Sequence, residues 1–133
     1  MKSIICLLLL TVSLNTYSGE NYTCKITGAF QIDLDGKQVT TNLKDFVGDS
    51  FLVNRATGEM SGVLTNSFAS GPTVVNPGSV DSSFQAVNSM INPITNATNF
   101  NTLVIQEMVS GKNKPFIFLD DGADIFFGKC AHQ

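Results

Sequence analysis

The sequence has no tryptophan, one histidine and three cysteines. Catalysis by a Ser-His-Asp or Cys-His arrangement would have to use His132, which lies in a short polar segment near the carboxyl end, where chains commonly fray. Transition-metal sites normally take three or four nitrogen or sulfur ligands, and the chain has too few histidines and cysteines to supply them. No glycine-rich phosphate-binding loop occurs. We therefore expect no metal site and no cofactor.

Charged side chains are also scarce, at 14% of the residues, and acidic ones outnumber basic ones by eleven to eight. Removal of an amino-terminal segment that contains Lys2 would leave seven basic against eleven acidic residues, a net charge of −4. A mildly acidic surface is a poor match for nucleic acid or for an anionic membrane. We expect neither to be the main partner.

The sequence contains one long apolar run. Lys2 precedes an apolar run over residues 3–14, and a small residue follows at Ser18. This pattern is typical of a secretory signal peptide cleaved after Ser18, and the run is shorter than the roughly 20 residues that span a bilayer. The alternative is a membrane anchor that stays attached. The sequence thus predicts a signal peptide at 1–18 and one exported domain at 19–133, periplasmic or extracellular, with no stable membrane insertion.

Export changes the number of cysteines that remain. Cys6 lies inside the apolar run and is removed with it, so Cys24 and Cys130 are left. An oxidising compartment permits a disulfide, and two cysteines allow only one pairing. We expect a Cys24–Cys130 disulfide, which leaves Cys130 no thiolate for His132 to activate.

Alternation of apolar and polar residues dominates the domain. Over residues 22–34 the apolar side chains fall on every second position, which is typical of a strand and puts Cys24 on the buried face. Similar shorter stretches follow, separated by turn sequences such as Asp-Gly. No helical pattern lasts three turns, and the best helical candidate is a turn over 43–47. The mature chain is therefore expected to contain little or no helix.

Consecutive strands joined by short turns predict an all-β antiparallel meander of seven or eight strands. A meander of this size closes into a small barrel or folds into a bent sandwich, and the pattern does not decide between the two. Closure makes the first and last strands neighbours, so the two cysteines can meet. The phenylalanines expected to fill the core are Phe30, Phe51, Phe84, Phe116, Phe118 and Phe126.

Residues 65–99 differ from the rest of the domain. They are rich in Asn, Ser, Thr, Gly and Pro, and Pro72, Pro77 and Pro93 divide the segment. This composition predicts long connections around one or two short strands. Such a segment is either a binding surface or a solvated connector.

Glu107 is the one charge inside the apolar stretch 99–109. It shares a strand face with Leu103, Ile105 and Val109. If that face were buried, the carboxylate would be a candidate binding residue. The sequence favours the opposite arrangement, in which the other face points inward or Glu107 lies at the solvated end of the strand.

Carboxylates are also the chain's candidates for catalysis. A hydrolase or lyase could use Glu107 with Asp120, Asp121 or Asp124, provided that at least two of them converge in one cleft. The Asp-Gly motif around Asp121, like that at 33–36, could hold a hard cation weakly. Neither motif has EF-hand spacing, and Asp before Gly is ordinary in turns. The sequence therefore favours turns over cation sites.

Four stretches of the domain carry a family resemblance. They are Tyr22-Thr-Cys24, the hairpin sequence Phe51…Val-Asn-Arg55-x-Thr-Gly58-x-Met60-x-Gly62, Ile105-Gln-Glu-Met-Val109 with Lys114-Pro-Phe116, and Phe127-Gly-Lys-Cys130. Together they resemble a family of small exported bacterial proteins of uncharacterised function, with a signal peptide and one disulfide. The resemblance covers nearly the whole domain, but its motifs are structural. It implies bacterial export and a single disulfide and lends no catalytic residues.

The function expected from the sequence is that of a small exported, non-enzymatic β domain. It would bind a small apolar ligand or a partner, or serve as an envelope component; the alternative is the carboxylate-based hydrolase or lyase. A barrel of eight strands can enclose one small ligand, and an envelope component would expose an edge strand for pairing. Whether the phenylalanines fill the interior or leave a cavity distinguishes these possibilities.

Overall fold

A computed structural model describes residues 20–40, 42–67 and 70–133, so the predicted signal peptide lies outside the described residues. The described residues form nine strands and one short 3-10 helix, Asn42–Phe46, at the turn expected over 43–47. The strands are β1 (Tyr22–Ile32), β2 (Gln38–Val39), β3 (Ser50–Val53), β4 (Met60–Gly62), β5 (Thr73–Ser79), β6 (Ser82–Ile91), β7 (Thr98–Ile105), β8 (Asn113–Asp120) and β9 (Asp124–His132).

The all-β prediction is confirmed. The strands pair antiparallel in one sheet, in the order β4-β3-β1-β9-β8-β7-β6-β5, with β2 paired to β1 off this path. The sheet curls into a half-barrel, with β5 to β9 forming a continuous meander. The first and last strands are neighbours, as the closing meander predicted.

The predicted disulfide is confirmed as well. Cys24 on β1 lies directly opposite Cys130 on β9, and the two sulfurs are bonded across a sequence separation of 106 residues. Both cysteines are fully buried, and Cys130 shares its inward face with Phe126 and Gly128. The bond therefore joins the two strands that bring the beginning and end of the domain together.

The core fills the inner face of the curled sheet. Five of the six phenylalanines expected there are buried, and Tyr22, Ile26, Val53, Met60, Leu103 and Ile105 pack with them. The rings of Phe51 and Phe116 meet edge to face, with centroids 5.2 Å apart. The described part of the interior is thus packed with aromatic and aliphatic side chains.

The prediction that Phe30 lies in the core is wrong. The register of β1 against β9 shifts between Ile26 and Gly28, which is a β-bulge. A bulge adds one residue to one strand and so reverses the alternation beyond it. Ala29 therefore packs against the core, and Phe30 lies opposite Ile125 on the outer face.

The strands within residues 65–99 are longer than the composition predicted. β5 and β6 contribute seven and ten residues to the segment, and they pair along a hairpin. β5 tolerates Pro77 because it is an edge strand, where a missing N–H costs no ladder bond. A register irregularity between Val74 and Asn76 bends the same edge.

Two hairpin turns of the sheet are built alike. In each, an asparagine oxygen, that of Asn54 or Asn92, accepts hydrogen bonds from the N–H groups two and three residues further on. The fifth residue of each turn, Gly58 or Asn96, has a positive φ, which Gly and Asn adopt most readily. The first of these turns carries Arg55 towards the start of β1.

Candidate functional site

Glu107 is buried, against the expectation that it would face solvent. It lies two residues beyond the end of β7, in a tight turn in which its N–H donates to the carbonyl of Ile105 at 2.9 Å. Lys114 holds this turn, since its Nζ donates to the backbone oxygens of Glu107 at 3.0 Å and Val109 at 2.6 Å. Only 8% of the glutamate remains exposed.

Three side chains surround the Glu107 carboxylate. The Tyr22 hydroxyl donates a hydrogen bond to its Oε1. His132 Nε2 lies 3.1 Å from Oε1 and 3.3 Å from Oε2, and Arg55 Nη1 lies 4.0 Å from Oε1. Its negative charge is therefore placed beside one permanent cation, one imidazole and one hydroxyl donor.

We call these four residues, Tyr22, Arg55, Glu107 and His132, the Glu107 cluster. Within it, the Tyr22 ring packs against His132 at 4.9 Å between centroids and against Arg55 at 5.5 Å. Arg55 also donates to the carbonyl oxygens of Pro77, at 3.0 and 3.1 Å, and Gly78, at 3.3 Å. The cluster thereby ties β1, β5, β9, the β3–β4 turn and the β7–β8 loop together.

His132 is not part of a free polar tail, as the sequence suggested. It is the last residue of β9 and lies directly opposite Tyr22, two positions beyond the disulfide pair. The alternation that points Cys130 inward points His132 inward too. Its role in the cluster could have been predicted by extending the disulfide register by two residues.

The Glu107 cluster leaves little room beside the carboxylate. A Cβ atom added to Gly78 would lie 2.9 Å from Cγ of Glu107 and 2.9 Å from the backbone nitrogen of Phe84. The polar atoms of the carboxylate are also engaged by neighbouring side chains. This arrangement suits a buried ionic anchor that fixes the ends of the domain.

The aspartates proposed as catalytic partners lie at the opposite end of the sheet. Asp120 and Asp124 face each other at the β8–β9 hairpin, and the nine residues of β9 separate that hairpin from His132, a span of about 26 Å at about 3.3 Å per residue. Burial, together with Asp124 and Asp121 nearby, raises the pKa of Asp120. The fold therefore does not bring Glu107 and these aspartates into one cleft.

The Asp-Gly motif at 33–36 forms a turn, as predicted. Asp33 Oδ1 accepts hydrogen bonds from the N–H groups of Asp35 at 3.0 Å and Lys37 at 2.8 Å. Within the described part of the chain, no group of three or more His, Cys, Asp or Glu side chains is arranged to hold a metal ion.

Two buried asparagines on the inner face were not singled out by the sequence. Asn88 on β6 lies opposite Asn101 on β7, and Asn88 Nδ2 donates to the backbone oxygen of Asn66. Asn88 Oδ1 and Asn101 Nδ2 have no hydrogen-bond partner among the described residues. One is an acceptor and the other a donor, and the two residues lie opposite each other in the register of β6 and β7.

The outer face of the sheet carries a continuous apolar surface, which we call the outer apolar face. It crosses β1, β9, β8 and β7, whose outward residues lie opposite one another in successive rows. Phe127, Ile117 and Phe100 are 41%, 43% and 44% exposed, and the others are partly buried. The members of the outer apolar face are Phe30, Phe100, Val104, Ile117, Leu119, Ile125 and Phe127.

Phe127 is held in place by its neighbours on this face. Its ring covers Gly28, where an added Cβ atom would lie 2.2 Å from the ring, and it packs against Phe30 at 6.2 Å between centroids. Gly28 therefore accommodates the ring, and the bulge that it accompanies turns Phe30 towards it. Extending the alternation through the bulge put Phe30 in the core and so left it out of this face.

Across the described residues, no helix is both long and apolar enough to cross a membrane. Comparison with family models, with curated proteins and with solved structures found no match.

Proposed function

We propose that this chain is an exported, non-enzymatic β domain, periplasmic or extracellular, that binds a protein partner through its outer apolar face. A buried disulfide supports export, because such bonds persist in oxidising compartments and are rare where thiols are kept reduced.

The outer apolar face is the observation that carries the proposal. Exposed apolar residues scattered singly are normal, but a contiguous patch of several hundred Å² on a soluble protein commonly marks an interaction site. Here phenylalanine, isoleucine, leucine and valine side chains adjoin one another across four strands. The surface is open rather than concave, which suits a protein better than a small molecule.

Other modes of binding have less support. A small apolar ligand inside the half-barrel would compete with buried phenylalanines that already fill it. Edge pairing in an envelope assembly would use β4 or β5, but β4 has three residues, and β5 carries Pro77 and an irregular register. Short, bulged or proline-containing edges discourage pairing with another chain.

Site-specific photocrosslinking in the cells that produce the chain tests the proposal. A photoreactive amino acid replaces Ile117 on the outer apolar face or, as a matched control, Val63, which follows β4 and has a similar exposed fraction of 41%. We expect a discrete protein adduct from position 117 and none from position 63. Mass spectrometry of the adduct identifies the bound chain.

Equal labelling from the two positions, or no adduct from 117, would count against the proposal. A thermal melt of each variant shows whether the fold is intact. Because both side chains are exposed to a similar degree, the two replacements should change stability by similar small amounts.

A further inference from the structure

We infer that the partner is a second copy of this chain, packed face to face with the strands of the two copies antiparallel; this inference rests on the proposed function of the outer apolar face. Opposite charges at the two ends of that face favour this arrangement.

Two lysines border the outer apolar face at one end. Lys25 on β1 lies directly opposite Lys129 on β9, and both side chains are exposed on the outer side. Neither ammonium forms an ion pair with a described residue. Like charges directly opposite each other on paired strands destabilise the sheet. The monomer therefore keeps an unfavourable charge pair beside its apolar surface.

Aspartates border the same face at the other end. Asp35 lies in the turn that follows β1, and Asp121 lies in the turn that precedes β9. Both are exposed, and neither is in an ion pair with a described residue. The strand that carries each lysine thus has an aspartate at its opposite end.

The lysines of one copy can meet the aspartates of a second copy in one orientation only. A two-fold axis between the faces and perpendicular to the strands would place Lys25 near Asp35 of the second copy and Lys129 near its Asp121. An axis parallel to the strands would instead leave the lysines of both copies at one end of the contact and the aspartates of both at the other. In a two-fold contact the same patch serves both copies, so each pairing occurs twice. The antiparallel arrangement neutralises the opposed lysines and covers the outer apolar face.

The area of the outer apolar face sets the expected strength of the contact between the two copies. Four strands about 4.8 Å apart and three outward rows about 6.8 Å apart give roughly 400 Å² per copy before the charged ends are added. Stable complexes bury about 800 Å² per partner, so this contact belongs with small, reversible interfaces. Two curled sheets meeting by their outer faces also touch over a limited band. We expect a dimer that dissociates on dilution.

Analytical ultracentrifugation of the exported, oxidised chain tests the inference. The wild-type chain should pass reversibly from monomer to dimer between low and high micromolar concentration. Lys25→Glu with Lys129→Glu makes both ends acidic, and Asp35→Lys with Asp121→Lys makes both ends basic. Each double variant alone should dimerise at least about tenfold more weakly, because charges of one sign then meet. A mixture of the two should recover a heterodimer.

Orientation is tested by carbodiimide crosslinking of a mixture of isotopically labelled and unlabelled wild-type chains. Crosslinks between Lys129 of one chain and Asp121 of another are expected. Within one chain the part of β9 from Asp124 to Lys129 already spans about 16 Å, and Asp121 lies in the turn beyond it, so a zero-length link between Lys129 and Asp121 is intermolecular. Unchanged circular dichroism and melting of the double variants would show that they fold.

Three results would overturn the inference: a wild-type chain that stays monomeric at every concentration, double variants that dimerise like wild type, or lysine-dependent binding of the monomer to anionic vesicles. A monomeric chain whose position 117 crosslinks to a different protein would remove the self-association and leave the proposed function standing. Absence of both the dimer and the adduct at position 117 would overturn the self-association and the proposed function together.

Discussion

At the scale of single residues, the buried carboxylate of Glu107 is the centre of the Glu107 cluster. It accepts from Tyr22 and lies beside His132 and Arg55, in a place where only 8% of the residue is exposed. Glu107→Gln keeps the shape but removes the charge, and hydrogen bonds to charged groups contribute about 1.5–3 kcal/mol. We expect a loss of that order in the free energy of unfolding, measured by denaturant titration.

Glu59→Gln is the matched control for this substitution. Glu59 is exposed on the β3–β4 turn, so its replacement should change stability by no more than about 0.5 kcal/mol. If the two substitutions had equal effects, the cluster would not be an anchor.

Asp120 gives a prediction about pH. Burial, then the neighbouring Asp124 and Asp121, raise its pKa above the ordinary 3.8. Because folding favours the protonated form, the contribution of this group to stability is greatest below pH 3.8. It falls as the pH rises through the raised pKa and stays low above it. Asp120→Asn should therefore stabilise the domain at neutral pH, with the gain shrinking in acid.

Melting curves across the acidic and neutral range check this pH dependence. The exposed Asp81 provides the control, since Asp81→Asn should show no comparable gain. A neutral-pH destabilisation by Asp120→Asn would contradict the assignment of a burial penalty to this carboxyl.

At the scale of strands and turns, β5 packs closely against Glu107 and Phe84 at Gly78. Gly78 has φ 74°, and an added Cβ atom would meet Glu107 and Phe84 at 2.9 Å. Gly71 has a similar φ of 68° but no atom within 4 Å of such a Cβ. A left-handed conformation costs a non-glycine residue about 1–2 kcal/mol at both sites, and only Gly78→Ala adds crowding.

Equilibrium unfolding should therefore rank Gly78→Ala as clearly more destabilising than Gly71→Ala. The comparison cancels the backbone contribution and isolates the contact with Glu107 and Phe84. A smaller effect at Gly78 would mean that β5 can move away from the cluster without cost.

The strands show how far alternation predicts this fold. Apolar residues at every second position correctly gave the all-β class, the neighbouring first and last strands and the disulfide. The same rule failed at Phe30, because a bulge after Ile26 reverses the alternation, and one glycine in a strand gives only a weak indication of a bulge. It also underestimated β5, because an edge position makes Pro77 harmless in a way that composition does not show.

The candidate site was less predictable than the strands. His132 and Tyr22 follow from the Cys24–Cys130 register, but the burial of Glu107 depends on a turn that carries it inward after β7 has ended. Arg55 reaches the cluster only because the β3–β4 hairpin crosses towards β5. Contacts of that kind depend on the curl of the whole sheet, which local pattern does not specify.

At the scale of the whole molecule, the disulfide closes almost the entire domain. Replacing both cysteines by alanine, Cys24→Ala with Cys130→Ala, should cost about 2–4 kcal/mol, chiefly because the unfolded chain gains freedom. For a domain of this size the melting temperature should fall by on the order of 10–20 °C. Calorimetry checks the shift, and thiol titration of the denatured exported chain should find no free cysteine.

An unchanged melting temperature would mean that the Glu107 cluster and the core hold β1 and β9 together without the bond. A free, reactive thiol at Cys130 in the exported protein would contradict the disulfide itself.

The most direct test of the central claim, that the outer apolar face is the binding surface, is the native size of the chain in the exported fraction of the cells that make it. Because the contact dissociates on dilution, proteins are first crosslinked in the cells. Size-exclusion chromatography then compares the wild type with Ile117→Glu, which puts a charge on the face, and with Val63→Glu, which puts one elsewhere at similar exposure. We predict that the wild type and Val63→Glu elute above monomer size, whereas Ile117→Glu elutes as a monomer. A wild-type chain that elutes as a monomer, or variants that elute alike, would contradict the claim.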